Sequence, residues 1–179
     1  MNNDKVGDFE LWSRFKAGDD IALSLIYKAN SRKLYNYSLK FTSDVKLVED
    51  SIQDLFTELI KNRKNLGDTD NIAFYLLKSI KRKLLRKLMN EKRISMGTPE
   101  ENYSFNVTYS VELDIISEEI SQQKKALLAQ VLQELTPRQK EAIYLKFSKE
   151  LKYNEVSEIM NISVEASRNL ISGAVKKLK

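Results

Sequence analysis

The side chains able to do chemistry in this 179-residue chain are charged, amide, hydroxyl and aromatic, because it contains no His and no Cys. Imidazole and thiolate metal sites, Ser-His-Asp and Cys-His nucleophiles and disulfide frameworks are excluded on that ground. The Asp and Glu residues are scattered, so no catalytic residue, metal or cofactor is assigned. What remains is two rows of polar groups. Glu165, Arg168, Asn169 and Ser172 fall on one side of a helix. There Arg suits guanine, Asn suits adenine and Glu accepts from cytosine. Tyr75, Lys78, Arg82 and Arg86, at spacings of 3, 4 and 4, share another helical face. Cations for phosphates and a ring for an unstacked base suit a nucleic-acid strand. A solvated basic face with a partly packed tyrosine would read the same way.

These rows have to be held by helices, and helical periodicity runs through most of the chain. Leu11, Trp12 and Phe15 lead to a break at Gly18-Asp19-Asp20, after which Ala22, Leu25, Ile26 and Ala29 continue one face. Leu34, Tyr37, Ser38 and Phe41 keep the spacing. Thr42-Ser43-Asp44 is N-cap chemistry. It opens a helix with an apolar stripe of Val45, Val48, Ile52, Leu55, Phe56 and Leu59 and a polar face of Glu49, Asp50, Gln53, Asp54, Thr57, Glu58 and Lys61. After the loop around 65–71, a helix over about 72–90 has an apolar face of Ala73, Leu76, Leu77, Ile80, Leu84 and Leu88. From Tyr153 to Leu170 the pattern is a helix-turn-helix. Val156, Met160, Ile162 and Leu170 make its inner contacts, and Ser157 is small where the helices approach. Asn161 sits at the turn, where a positive φ is needed, and Ser163 caps the second helix. Ser167 fills a slot that is normally branched and apolar.

Charge divides the chain into four blocks. Residues 1–60 carry a net −2, residues 61–93 a net +8, residues 94–121 a net −6 with no Lys or Arg, and residues 122–179 a net +5. Two basic blocks flanking an acidic one suggest two polyanion-facing surfaces joined by a stretch that is not one. Met96-Gly-Thr-Pro and Asn102-Tyr-Ser-Phe-Asn are loop-like. The expectation is therefore an all-α chain with a helical domain over 1–93, an acidic flexible linker over 94–121, and a second helical domain over 122–179. The polar start Met1-Asn-Asn-Asp-Lys-Val-Gly-Asp and the short apolar runs predict a soluble, cytoplasmic protein with no membrane insertion.

Two separated segments resemble one family. Val48-Glu-Asp-Ser-Ile-Gln-Asp-Leu-Phe-Thr-Glu-Leu resembles the core-polymerase-binding helix of region 2 in bacterial sigma factors, where an A-E-D-x-x-Q-[ED]-x-F pattern recurs. Leu132-Gln-Glu-Leu-Thr-Pro-Arg-Gln-Lys-Glu-Ala-Ile-Tyr-Leu, followed by Leu151-Lys-Tyr-Asn-Glu-Val-Ser-Glu-Ile-Met-Asn-Ile-Ser, resembles sigma region 4. Gly18-Asp19-Asp20 with Ile26-Tyr27 looks like the opening of region 2. Both segments, in this order and at this separation, make the chain similar to an extracytoplasmic-function (group IV) sigma factor of the sigma-70 family. It departs from the pattern at Lys83, where Asn is usual, and at Lys87, where Asp is usual.

The resemblance implies that Glu49, Asp50, Gln53, Asp54, Phe56 and Glu58 dock on the clamp coiled coil of core RNA polymerase. Arg63, Lys64, Tyr75, Lys78, Arg82 and Arg86 would hold the single-stranded −10 element. Ser163, Glu165, Arg168, Asn169, Ser172, Lys176 and Lys177 would read duplex −35 DNA. The polymerase flap and an anti-sigma factor are further implied partners. The protein itself would not be an enzyme, since the polymerase does the chemistry. The rival from the residues alone is a ligand-sensing or dimeric helix-turn-helix regulator that acts without polymerase. A non-DNA helical adaptor is a second rival, against which the +8 block argues.

Overall fold

The computed structural model describes residues 7–92, 103–106 and 132–177. The described residues form helices and loops, and the chain divides into two compact units, Met1–Met96 and Gly97–Lys179. The rest of the stretch read as linker, the region where the second domain's helices were expected to begin, and Leu178 and Lys179 lie outside the described residues.

In the first unit α1 is Asp8–Lys16, α2 Asp20–Ser38, α3 Val45–Asn62 and α4 Ile72–Lys92, with a 3₁₀ turn Arg63–Asn65 after α3. Gly18 takes φ +99, which only glycine adopts without strain, and so turns α1 into α2. Asp19 then caps α2 by accepting from the Ile21 and Ala22 amides, and its carboxylate also pairs with Arg14 at 2.7 Å. That guanidinium, helped by the two amides, holds the Asp19 carboxyl below the usual carboxylate value. Asp44 caps α3 through the Leu47 amide.

All three other helices pack on α4, whose Leu76, Ile80 and Leu84 are wholly buried. Trp12, Phe15, Ile26, Leu34, Tyr37 and Val48 close the core around it. The periodicity located these helices, with two corrections in detail. The buried line of α2 steps through Ala22, Ile26, Asn30 and Leu34, one position off Leu25 and Ala29, which turn to solvent. Asn30 is tolerated there because its side-chain amide donates to the Ile26 carbonyl one turn back. Val45, at the first turn of α3, is likewise exposed, and Leu47 is buried in its place.

In the second unit Thr136 and Gln139 form a reciprocal capping box that opens α5, Pro137–Ile143, with Pro137 in the first turn, where its missing amide costs nothing. α5 continues as a π-helical segment, Tyr144–Ser148, followed by α6, Tyr153–Met160, and α7, Val164–Lys177. Leu132, Leu135 and Ala174 form a buried cluster with Ile143 against it, and α7 packs on both α5 and α6.

Residues 103–106, in the stretch read as linker, belong to this unit. Phe105 is 1% exposed, its ring 5.9 Å from that of Tyr144. The Tyr103 hydroxyl donates to the carboxylate of Glu141, which is itself wholly buried. Burial and that neighbouring carboxylate push the Tyr103 phenol far above its ordinary value.

Candidate nucleic-acid interface

The helix-turn-helix is set by backbone geometry and by two hydroxyls, the exposed one of Ser163 and the buried one of Ser167. Asn161 takes the left-handed conformation (φ 51, ψ 51) that ends α6, and the Ile162 amide returns to the Ser157 carbonyl. Ser163 accepts from the Ala166 amide and so caps α7. Ser167, in the slot expected to be apolar, is fully buried. Its hydroxyl lies 2.8 Å from the Val164 carbonyl and 3.2 Å from the Tyr153 carbonyl, the latter on the first turn of α6. The polar residue is thus satisfied, and it fastens one helix to the other.

With Ile171 and Ala174 turned inward, Ser163, Glu165, Arg168, Asn169, Ser172, Lys176 and Lys177 are all exposed. Tyr153 braces this face: the Arg168 guanidinium lies 5.7 Å from its ring centre and the Lys146 ammonium 4.6 Å.

The residues expected to hold a single strand are only partly brought together. Tyr75, Arg82 and Arg86 line one cleft of about 330 Å³ between α3 and α4, with Leu59, Asn62 and Leu66. Tyr75 is half-buried against Trp12, ring centres 4.9 Å apart, and burial raises its phenol above the ordinary value. Lys78 is absent from that lining, and its ammonium lies over the Phe74 ring. Arg63 rests on Gly18, where a Cβ would come within 3.3 Å of the guanidinium, and Lys64 is exposed on the 3₁₀ turn. The loop between these residues and α4 is tied down at three points. The Trp12 indole donates to the Gly67 carbonyl at 2.9 Å, Lys16 pairs with Asp68 at 2.5 Å, and the Asp8 carboxylate accepts from the Ile72 amide.

The polar face of α3 resolves into two. Glu49, Gln53 and the edge of Phe56 line a groove of about 620 Å³ with Tyr27, Arg32 and Tyr35 of α2 and the exposed Ile60. Phe56 is itself largely buried, its ring edge-on to Tyr27 at 4.9 Å. Asp50 is exposed. Asp54 and Glu58 turn instead toward α4, where Lys87 and Lys83 meet them at 2.7 and 2.5 Å. Sequence reasoning did not assign Tyr27, Arg32, Tyr35, Lys83 or Lys87. The matched four-residue steps of Asp54/Glu58 and Lys83/Lys87 were the available signal for the last two.

Among the described residues no cluster of three or more carboxylates is placed to hold a metal, and no helix is long and apolar enough to cross a membrane.

Residues 26–94 match the family model for sigma-70 region 2, and residues 125–178 match that for sigma-70 region 4. The chain is 27% identical over 160 residues to the ECF RNA polymerase sigma factor SigM of Bacillus subtilis (strain 168), across 86% of this chain and 91% of that one. Two solved structures share the fold at 18% identity. One is CnrH in complex with the cytosolic domain of CnrY, with a TM-score of 0.61 over 96% of this chain and 94% of that one. The other is the sigma factor RpoE in complex with the anti-sigma factor NepR from Bartonella quintana, with a TM-score of 0.56 over 89% and 92%.

Proposed function

This chain belongs to the sigma-70 family, in its extracytoplasmic-function branch, and from that premise we propose how its residues divide the work of a sigma factor. It binds core RNA polymerase and directs promoter recognition and transcription initiation. In our reading residues 1–93 carry polymerase and −10 binding, 94–121 connect, and 122–179 read the −35 element. Glu49, Asp50, Gln53 and Phe56, with Asp54 and Glu58, meet the clamp coiled coil, and the second unit meets the flap. Tyr75, Arg82 and Arg86 line a cleft that takes the opened −10 strand, with Arg63, Lys64 and Lys78 around it. Duplex −35 DNA meets Ser163, Glu165, Arg168, Asn169 and Ser172, while Lys176 and Lys177 hold phosphates. The protein acts in the cytoplasm with the polymerase. An anti-sigma factor is its regulatory partner, as NepR is for RpoE.

The observation that carries this reading is the exposed row on α7. Every side chain assigned to the −35 duplex is open to solvent, on a helix whose opposite side is locked by Ser167 and by the left-handed turn at Asn161. The test is run-off transcription with core polymerase. Arg168→Ala and Asn169→Ala should each cost about 1–3 kcal/mol of −35-dependent initiation and leave polymerase binding intact. Equal loss of polymerase binding in those two variants would sink the assignment.

A further inference from the structure

Helices α3 and α4 run antiparallel, and their facing turns carry a ladder of two ion pairs, Asp54 with Lys87 and Glu58 with Lys83. All four residues lie at or beside the cleft that holds Tyr75, Arg82 and Arg86, and Glu58, Lys83 and Lys87 are part of its lining. The two partners of each pair are unequally covered. The lysine side chains are only 16% and 29% exposed, and the carboxylates opposite them 61% and 51%. The hydrogen bond from Lys87, against a smaller opposing effect of burial, holds the Asp54 carboxyl below its usual range. At 83 and 87, where the sigma pattern has Asn and Asp, this chain adds two cations to its strand-facing helix. It neutralises them with two carboxylates from its polymerase-facing helix.

We propose that this ladder is a charge exchange: cationic groups of the polymerase take over Asp54 and Glu58, and the released Lys83 and Lys87 become phosphate contacts for the opened strand. The proposal rests on the function argued above and deepens it, adding two strand-binding residues and making their availability depend on the polymerase. The geometry suits an exchange. The open carboxylates are the half of each pair that an incoming cation can reach, and pairs this exposed are weak enough to be given up. The covered lysine stems stay packed along the cleft wall, so only their ammonium ends need to move. Linkage makes the effect reciprocal: whatever factor the polymerase adds to strand affinity, the strand adds to polymerase affinity. A free sigma factor is thereby kept from spending its cations on stray nucleic acid.

The test reads the number of phosphates neutralised. With the full-length protein and no polymerase, binding of a labelled single-stranded oligodeoxythymidine is followed by anisotropy from low to moderate salt. Each phosphate neutralised on a single strand contributes about 0.7 to the slope of log affinity against log salt. Asp54→Asn/Glu58→Gln should steepen that slope by about 1.4 and so, from equal affinity at about 1 M salt, bind about 25-fold tighter near 0.1 M. Glu10→Gln/Asp20→Asn removes the same charge from exposed positions outside the ladder and should leave the slope unchanged. Adding Lys83→Ala/Lys87→Ala to the first variant should abolish the gain.

With core polymerase and a forked −10 template, Lys83→Ala/Lys87→Ala alone should weaken binding about tenfold, while weakening the polymerase-free protein far less. Equal slopes for the two neutralised variants would overturn the ladder. A steeper slope together with a holoenzyme indifferent to Lys83 and Lys87 would overturn the exchange. A parent protein that never joins the polymerase would instead overturn the functional reading on which it rests.

Discussion

Phe105→Ala is expected to release residues 103–106 from the second unit. Ordering four residues of backbone costs about 1–2 kcal/mol each, or about 4–8 kcal/mol for the segment. Against this stand the ring of Phe105, 1% exposed against Tyr144, and the hydroxyl of Tyr103 on a buried carboxylate. Truncating a buried Phe removes about 3–5 kcal/mol, and a hydrogen bond to a charged acceptor is worth about 1.5–3 kcal/mol. The two sides nearly balance, so docking has a margin of only a few kcal/mol, and loss of the ring exceeds it. The docked-to-undocked ratio should fall by a factor between about a hundred and a few thousand. Tyr103→Phe should shift it less, by roughly ten- to a hundredfold. The chain has no Cys, so a single Ser104→Cys substitution at an exposed position of the segment carries a nitroxide label without competing sites. Its spectrum should be immobilised in the parent and mobile after Phe105→Ala. A label already mobile in the parent, or still immobile after the truncation, would refute the reasoning.

The same label gives a pH prediction. The Tyr103 phenol is raised in the folded state, so its contribution is complete below the unfolded value near 10 and is lost as pH rises beyond it. Label mobility should therefore increase above about pH 10 in the parent and stay level in Tyr103→Phe, which has no proton to lose. At the helix-turn-helix, Asn161→Ala should cost about 1 kcal/mol in thermal denaturation, because alanine resists the left-handed turn, whereas Asn161→Gly should keep its stability. Trp12→Phe removes the donor to the Gly67 carbonyl and part of a wholly buried ring, and should lower stability by about 2 kcal/mol or more. In amide hydrogen exchange residues 66–71 should lose more protection than the rest of the first unit, and a loss no greater there than elsewhere would count against the tie.

The sequence by itself determined the helices and the identity of the outer row on α7. These are local matters: a period near 3.6, a capping Asp or Ser beside its own helix, an Asn one residue past a helix end. Arg168 and Asn169 could be assigned because the residues that fix which way they point, Ser163 and Asn161, lie a few positions away. Tertiary structure alone decided which partner each charged side chain meets. The polar face of α3 reads as one row, yet Glu49 and Gln53 face α2 while Asp54 and Glu58 face α4. The split depends on how two helices flank a third, and no spacing along α3 encodes it. Lys78 shares a face with Arg82 and Arg86 by angle but not the cleft they line. Nor could the Tyr-Ser-Phe-Asn segment be read as anything but loop, because its aromatic rings find their partners, Glu141 and Tyr144, nearly forty residues away. Periodicity reports which side of a helix is buried, whereas charge pairing and loop docking are set between elements distant in the chain.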